Sequence, residues 1–189
     1  MQRHRGRISI EIFAKRLLED RGLVVGLYDA SVSAPDPDPF SLTYPARDPS
    51  LDPLVGPVVS GFNAYVRDEL SYRTDARYEL MNPDVLQAWD WAEAGLGDLP
   101  GVGHRLRRAL SLNPKLKVLI AHGYFDLATP YFASKYVVER LELDQAISPH
   151  LRFSVYTGGH MFYTHASARA ARYADVKAMY EASAEPAAR

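Results

Sequence analysis

Two short apolar segments with an amphipathic segment between them constrain the fold of this chain more than any other feature. Residues 116–121 (Leu-Lys-Val-Leu-Ile-Ala) and 151–156 (Leu-Arg-Phe-Ser-Val-Tyr) have the length and composition of β-strands. Residues 130–143 between them, and residues 162–182 after them, carry apolar side chains at helical spacing. This order predicts a parallel strand–helix–strand unit with a closing helix, and therefore the α/β class. Since the first strand is apolar from Val118 onward, we expect both of its faces to be buried.

The residues before this unit have a different pattern, mostly of helix and loop. Seven of the 13 prolines fall within residues 35–57, and proline at this density disfavours both a helix and a central strand. Gly22 is a candidate helix C-cap. Residues 23–28 are a short apolar run, and residues 95–103 are a glycine-rich connection. The spacing of apolar residues predicts helices over 8–21, 58–70, 84–91 and 105–112.

Composition excludes several classes of partner and site. The chain has 189 residues, 22 Lys+Arg, 23 Asp+Glu and no Cys. A formal net charge of −1 provides no basic surface for nucleic acid or an anionic membrane, and no apolar run approaches the length needed to span a bilayer. The lack of Cys excludes disulfides, thiolate metal sites and a Cys nucleophile. We expect neither nucleic acid nor membrane as a partner.

Asp126 and His160 follow the ends of the two predicted strands. Parallel strands joined by a crossover end at the same edge of a sheet, so the two loops are expected to be neighbours. An Asp beside a His can form the acid–base part of a nucleophilic site, where the carboxylate fixes the imidazole tautomer and the imidazole accepts a proton from an attacking hydroxyl. A strand-end Asp and a His after Gly158-Gly159 are equally compatible with ordinary turns.

Around these residues the chain resembles the serine carboxypeptidase family. Residues 118–130 (Val-Leu-Ile-Ala-His-Gly-Tyr-Phe-Asp-Leu-Ala-Thr-Pro) resemble the segment that carries the catalytic Asp, and residues 156–161 (Tyr-Thr-Gly-Gly-His-Met) resemble the Gly-His-Met segment with the catalytic His. The resemblance runs from about residue 8 to residue 180. Softer matches to the bacterial branch are Gly26–Asp29, Tyr44 with Asp48–Leu51, Asn63–Leu70 and Trp89–Trp91.

The resemblance implies an α/β-hydrolase fold with a helical insertion over a Ser-Asp-His triad that removes C-terminal amino acids from peptides. Asp126 would be the triad acid and His160 the general base. Met161 would bind substrate on the leaving-group side of the site. The chain order of such hydrolases is nucleophile, acid, His, which places the nucleophile upstream. The resemblance also implies a peptide substrate, no cofactor, and a periplasmic or secreted protein.

The nucleophile is the main departure from the family. An elbow of the form Gly-x-Ser-x-Gly exposes the reacting hydroxyl, yet no Ser of this chain has Gly two residues away on both sides. The glycines of an oxyanion hole and the groups that would bind a substrate carboxylate are missing too. We therefore expect the C-terminal part of such an enzyme, inactive as the isolated chain. Its Ser would come from a missing N-terminal half or from a partner chain.

The resemblance divides the chain into three parts. Residues 1–112 would form the helical, cap-like region with its proline-rich excursion, residues 113–183 the C-terminal part of the α/β-hydrolase core, and residues 184–189 a polar tail. Two strands form too small a sheet to bury the apolar faces of the helices that pack on it in a doubly wound fold. We expect one strand edge without a neighbour and apolar helix faces that meet solvent.

Two other functions stay open at this point. One is a catalytically inactive α/β-hydrolase-derived module that binds a peptide or protein. The other is a hydrolase of the same fold with an ester or acyl-transfer substrate, because the Asp and His segments do not encode the substrate. A metal site is disfavoured because the spacing of His160 and His165 does not place them on one helical face. Trp89 and Trp91 are expected in the core.

Overall fold

A computed structural model of the protein describes residues 9–90, 95–96, 99–100 and 102–184. These residues form two compact units. The first unit takes residues 9–26 and 32–90, and the second takes residues 27–31 together with the described residues from 95 onward. The expected boundary between residues 112 and 113 stays a prediction. Of the expected polar tail, only Ala184 is described, as the last residue of a helix.

The first unit contains mostly helix and loop, as predicted, with one short antiparallel strand pair. Ser9 caps the first helix, since its side chain accepts a hydrogen bond from the Ile12 backbone N–H. Gly22, at φ +66°, is the C-cap of the following 3-10 turn, a conformation that favours glycine. The elements are α1 (Ile10–Arg16), a 3-10 turn (Glu19–Arg21), β1 (Leu23–Val25), β2 (Ser33–Pro35), α2 (Asp52–Asp68) and α3 (Pro83–Ala88).

The proline-rich segment corrects one prediction. Helix α2 begins at Asp52, inside the segment that was expected to exclude helix, and it contains Pro53 and Pro57. Pro53 is tolerated because it lies in the first turn, where the missing N–H would have no partner in the helix. Pro57 lies in the helix interior and removes one backbone hydrogen bond. The prediction from proline density is therefore correct for the irregular path over residues 36–51. It is wrong for residues 52–57, which form the start of α2.

A buried ion pair lies beside the small apolar core of the first unit. Ala14, Val24 and Val25 are buried. Lys15, whose side chain is 3% exposed, forms a salt bridge with Asp36, whose side chain is 5% exposed. Its Nζ atom also donates to the Asp38 carbonyl oxygen at 2.7 Å. The cation thus holds the segment after β2 against α1.

The second unit contains the parallel strand pair. The strands Val118–Gly123 (β5) and Leu151–Tyr156 (β6) are parallel in a continuous register from Val118 opposite Leu151 to Gly123 opposite Tyr156, as the sequence predicts. The helices and small sheets together are those of a mixed α/β structure. The elements are β3 (Gly95–Leu96), β4 (Leu99–Pro100), α4 (Gly103–Leu112), β5 (Val118–Gly123), α5 (Tyr131–Glu139), a 3-10 turn (Ser148–His150), β6 (Leu151–Tyr156), a second 3-10 turn (Phe162–Thr164) and α6 (Ala166–Ala184).

Helix α6 packs next to the end of β6. The rings of Tyr156 and Phe162 stack with centroids 4.9 Å apart, and both are buried with Ala168. The Tyr156 hydroxyl donates to Oδ2 of Asp175 at 2.6 Å. These contacts fix the end of β6, from which the His160 loop departs.

Burial differs from the sequence prediction in two places. Strand β5 is half-buried from Val118 to His122, and only Gly123 is buried, because the described part of this sheet has two strands. Trp89 was expected in the core and is 60% exposed. Trp91 lies outside the described residues. The prediction of exposed apolar helix faces is confirmed on α5, where Phe132 is 66% exposed.

Several boundaries also shift. Helix α1 ends at Arg16 and not at residue 21, because the chain turns through the 3-10 segment into β1. Helix α5 ends at Glu139, and α6 begins at Ala166 after a 3-10 turn. Over the described ranges, no helix combines the length and hydropathy needed to cross a bilayer.

Candidate active site

The site lies where the two parallel strands end. Gly123 and Tyr156 are the last paired residues, and the loops after them carry Asp126 and His160. The two loops continue the pairing beyond the strands: the Tyr124 N–H donates to the Tyr156 carbonyl oxygen and the Phe125 N–H to that of Gly158, both at 2.9 Å. The strand–helix–strand topology therefore brings together two residues that are 34 positions apart.

Two glycines let the loops approach closely. A Cβ atom on Gly123 would lie 1.8 Å from the carbonyl oxygen of Gly159, and a Cβ on Gly159 would lie 2.0 Å from the carbonyl oxygen of Tyr28. Both contacts are with backbone, which cannot move aside as a flexible side chain can. Gly158, at φ +122°, has a conformation that favours glycine as well.

A segment from early in the chain holds both loops. The Leu27 carbonyl oxygen accepts from the N–H groups of Leu127 and Ala128, each at 3.0 Å. The Tyr28 carbonyl oxygen accepts from the His160 N–H. Sequence reasoning used this segment for the family resemblance but gave it no role at the site, because carbonyl contacts of this kind carry no signal in the sequence.

Asp126 and His160 are directly hydrogen-bonded. Nδ1 of His160 lies 2.9 Å from Oδ2 of Asp126. The Asp126 side chain is only 2% exposed, whereas that of His160 is 39% exposed. An ionised carboxylate only accepts hydrogen bonds, so in the neutral imidazole the hydrogen lies on Nδ1 and Nε2 carries the lone pair. None of the residues that the structure describes is hydrogen-bonded to Nε2.

The ionisation of both groups is shifted in the direction that keeps them charged together. Burial raises the pKa of Asp126, but hydrogen bonds from His160 and Thr129 outweigh it and bring the pKa below its ordinary value. The hydrogen bond to Asp126 raises the pKa of His160 above its ordinary value, although burial opposes this rise. Asp126 is therefore anionic near neutral pH and stabilises a proton on the imidazole.

The residues around the pair complete the site. The ring of Tyr28 meets the His160 ring edge-on, with centroids 5.2 Å apart and planes at 85°. Met161 is half-buried next to His160 in the chain, and its carbonyl oxygen accepts from the N–H of Thr164. Its role in binding substrate stays a prediction. Thr129, which sequence reasoning did not single out, contacts both Asp126 and His160.

A second Asp–His pair lies nearby. Oδ2 of Asp29 is 3.6 Å from Nε2 of His165, and Oδ1 of Asp29 accepts from the Ser31 N–H and hydroxyl. The His165 side chain is 50% exposed and that of Asp29 is 13% exposed. Because Asp29 contacts both Ser31 and His165, this group differs from a triad, in which the His stands between the acid and the nucleophile.

No Ser in the described ranges is hydrogen-bonded to His160, whereas the Thr129 hydroxyl lies within hydrogen-bonding distance of its Nδ1. Within the same ranges, no group of three or more His, Cys, Asp or Glu side chains has the arrangement of a metal site. What the described residues can perform is proton transfer: Nε2 can accept a proton from a hydroxyl or water, and Asp126 stabilises the resulting imidazolium. No family model, curated protein or solved structure matches this chain.

Proposed function

We propose that this chain supplies the acid and the base of a serine carboxypeptidase-like hydrolase with an α/β-hydrolase fold. The observation that carries the proposal is the 2.9 Å hydrogen bond from Nδ1 of His160 to the buried Asp126, which leaves Nε2 as a base on an exposed ring. The parallel pairing of β5 and β6, with Asp126 before His160 in the chain, agrees with the chain order of that fold. The substrate would be a peptide with a free C-terminal carboxylate.

The reaction begins with the Ser that a missing N-terminal half or a partner chain provides. Nε2 of His160 accepts the hydroxyl proton as Oγ attacks the last peptide carbonyl, and Asp126 stabilises the imidazolium. The imidazolium then donates its proton to the leaving amine, so the C–N bond breaks and an acyl-enzyme forms. A water gives its proton to Nε2 as it attacks the acyl carbonyl, and the imidazolium returns a proton to Oγ as the ester bond breaks.

The test uses the product of the complete reading frame and a blocked dipeptide with a free C-terminal carboxylate. Asp126→Asn should lower kcat by about 10⁴-fold, because an Asn in this place favours the wrong imidazole tautomer. His160→Gln should lower kcat at least as much. His165→Gln is the matched control, since it makes the same chemical change in the neighbouring Asp–His pair and should leave kcat unchanged. Unchanged turnover in the Asp126 and His160 variants would refute the proposal.

The substrate class needs a second comparison. A carboxypeptidase should lose most activity on the same dipeptide with an amidated C-terminus, whereas a general esterase should act on small esters and ignore this difference. Faster hydrolysis of the esters, with no preference for the free carboxylate, would favour the esterase or acyl-transfer alternative.

The exposed apolar side chains favour one further candidate, an inactive module that binds a peptide or protein. Phe132 and Tyr136, one turn apart on α5, are 66% and 50% exposed, and exposed apolar side chains on one helix face can mark a binding surface. Such a module would bind its partner equally well with Asp126→Asn. Binding that survives this substitution, together with no turnover by the complete gene product, would favour the module.

A further inference from the structure

Thr129 holds both oxygens of the Asp126 carboxylate. Its backbone N–H donates to Oδ1 at 2.8 Å, and its hydroxyl donates to Oδ2 at 2.6 Å. The next residue, Pro130, restricts the Thr129 backbone to extended conformations, which limits how far the loop can relax. The carboxylate of Asp126 is thus fixed by one residue three positions further along the chain.

The same hydroxyl also faces the histidine. Oγ1 of Thr129 lies 3.2 Å from Nδ1 of His160. A hydroxyl has one hydrogen, and this one is donated to Asp126, so Oγ1 can offer Nδ1 only a lone pair. Both oxygens near Nδ1 are therefore acceptors, which requires the imidazole hydrogen on Nδ1 and leaves Nε2 as the base.

We propose that Thr129 is a positioning residue of this site, whose hydroxyl fixes the Asp126 carboxylate and selects the Nδ1–H tautomer of His160. Thr129 acts through these two residues. The proposal rests on the proposed function for its effect on turnover, whereas its effect on ionisation is measurable in the chain without any substrate.

Substitutions at Thr129 do not alter the other titratable side chains that lie beside His160. Tyr28 meets the imidazole edge-on, and Oδ2 of Asp29 lies 3.6 Å from Nε2 of His165 beside the loop that carries His160. Substitutions at Thr129 leave these groups and the backbone N–H of residue 129 in place. A change in the titration of Asp126 then reports the hydroxyl itself.

The experiment compares two pairs of proteins that differ by the hydroxyl at position 129: the wild type with Thr129→Val, and Thr129→Ser with Thr129→Ala. Thr129→Val keeps the shape of threonine without the hydroxyl, and Thr129→Ala is compared with Thr129→Ser, which lacks only the methyl group. The pKa of Asp126 is measured in the 189-residue chain by NMR titration of its carboxyl carbon. We expect Val and Ala to raise this pKa by about one unit, because a hydrogen bond to the charged form is lost, and Ser to retain the wild-type value.

The outcomes distinguish a positioning role of the Thr129 hydroxyl from a role of the Thr129 side chain in packing, and both from the proposed function. A pKa of Asp126 that is the same with and without the hydroxyl in both pairs would overturn the proposal. The ¹⁵N chemical shifts of the His160 imidazole should also show a smaller population of the Nδ1–H tautomer in Thr129→Val and Thr129→Ala.

In the complete enzyme, Thr129→Val should lower kcat about tenfold with KM unchanged, and Thr129→Ser should retain the wild-type kcat. If Asp126→Asn leaves turnover intact, the proposed function fails while the titration still decides the role of Thr129.

Discussion

A Cβ atom on Gly123 would lie 1.8 Å from the carbonyl oxygen of Gly159, so the end of β5 touches the loop that presents His160. Any side chain at position 123 forces these two backbones apart. The separation would move His160 away from Asp126, because the 2.9 Å hydrogen bond tolerates only a small displacement. The close backbone contact between Gly123 and Gly159 therefore helps to set the distance between His160 and Asp126.

Gly123→Ala should destabilise the protein and separate the Asp–His pair. We expect the free energy of unfolding to fall by about 3 kcal/mol, since the clash is with backbone. Gly61→Ala is the matched control: Gly61 lies within α2, and a Cβ there would meet nothing within 4 Å. It should raise the free energy of unfolding by about 0.5–1 kcal/mol. Urea denaturation of both variants checks the difference, and equal stabilities would contradict it.

The pH dependence of turnover should report the His160–Asp126 bond. The hydrogen bond raises the pKa of His160, and only the neutral imidazole can accept a proton. For the complete enzyme, kcat/KM should therefore rise with pH through a midpoint above about 6.5, the ordinary value for histidine. Asp126→Asn removes the charge that stabilises the imidazolium, so the midpoint of the residual activity should move down. A midpoint that stays in place in this variant would show that His160 is not the titrating base.

Asp126 and His160 could be predicted from the sequence because the topology alone brings them together. Once two apolar strands with a helix between them are recognised, the crossover rule places the residues after each strand at one edge. Thr129 lies within hydrogen-bonding distance of both residues, but a threonine three residues after an aspartate is common in turns and carries no distinctive pattern. Leu27 and Tyr28 hold the two loops through carbonyl oxygens, which every residue has, and the edge-on contact of the Tyr28 ring with His160 carries no distinctive sequence pattern either.

Helix boundaries and burial were harder to predict, for related reasons. The periodicity of residues 8–21 continues through the 3-10 turn after Arg16, because a turn of that kind has nearly the same spacing. Proline density disfavours helix over residues 35–57, although Pro53 lies in the first turn of α2, where proline is compatible with helix, and Pro57 lies in its interior at the loss of one backbone hydrogen bond. Trp89 was assigned to the core by its size, yet burial depends on what lies opposite, which a single sequence does not reveal.

The buried ion pair of the first unit should matter more to stability than the exposed ion pair that the next residue of α1, Arg16, forms with Glu19. Lys15→Met removes the cation that contacts Asp36, leaving a shielded carboxylate without this partner. We expect a loss of about 1.5–3 kcal/mol, the range for a hydrogen bond to a charged group. Arg16→Met is the control, because the Arg16–Glu19 pair is about half exposed and should cost less than about 1 kcal/mol. Equal losses in urea denaturation would contradict the role assigned to Lys15.

Two leucines on α4 differ in burial, and urea denaturation of their alanine variants tests this difference. Leu110 is fully buried, whereas Leu112, two residues later, is 73% exposed. Leu110→Ala should therefore cost about 2–5 kcal/mol in the 189-residue chain, and Leu112→Ala should change stability by less than about 0.5 kcal/mol.

A substitution at Phe132, which is 66% exposed on α5, tests whether another part of the protein or a partner covers the strand–helix–strand unit. In the isolated chain, Phe132→Ala should have little effect, because the ring already meets water. If a missing N-terminal half or a partner chain packs against α5, the same substitution in the complete assembly should cost about 2 kcal/mol or more, the transfer free energy of a buried aromatic side chain. Thermal denaturation of both forms gives the comparison. An equally small effect in the assembly would place the covering surface elsewhere and weaken the case that α5 belongs to a larger hydrolase core.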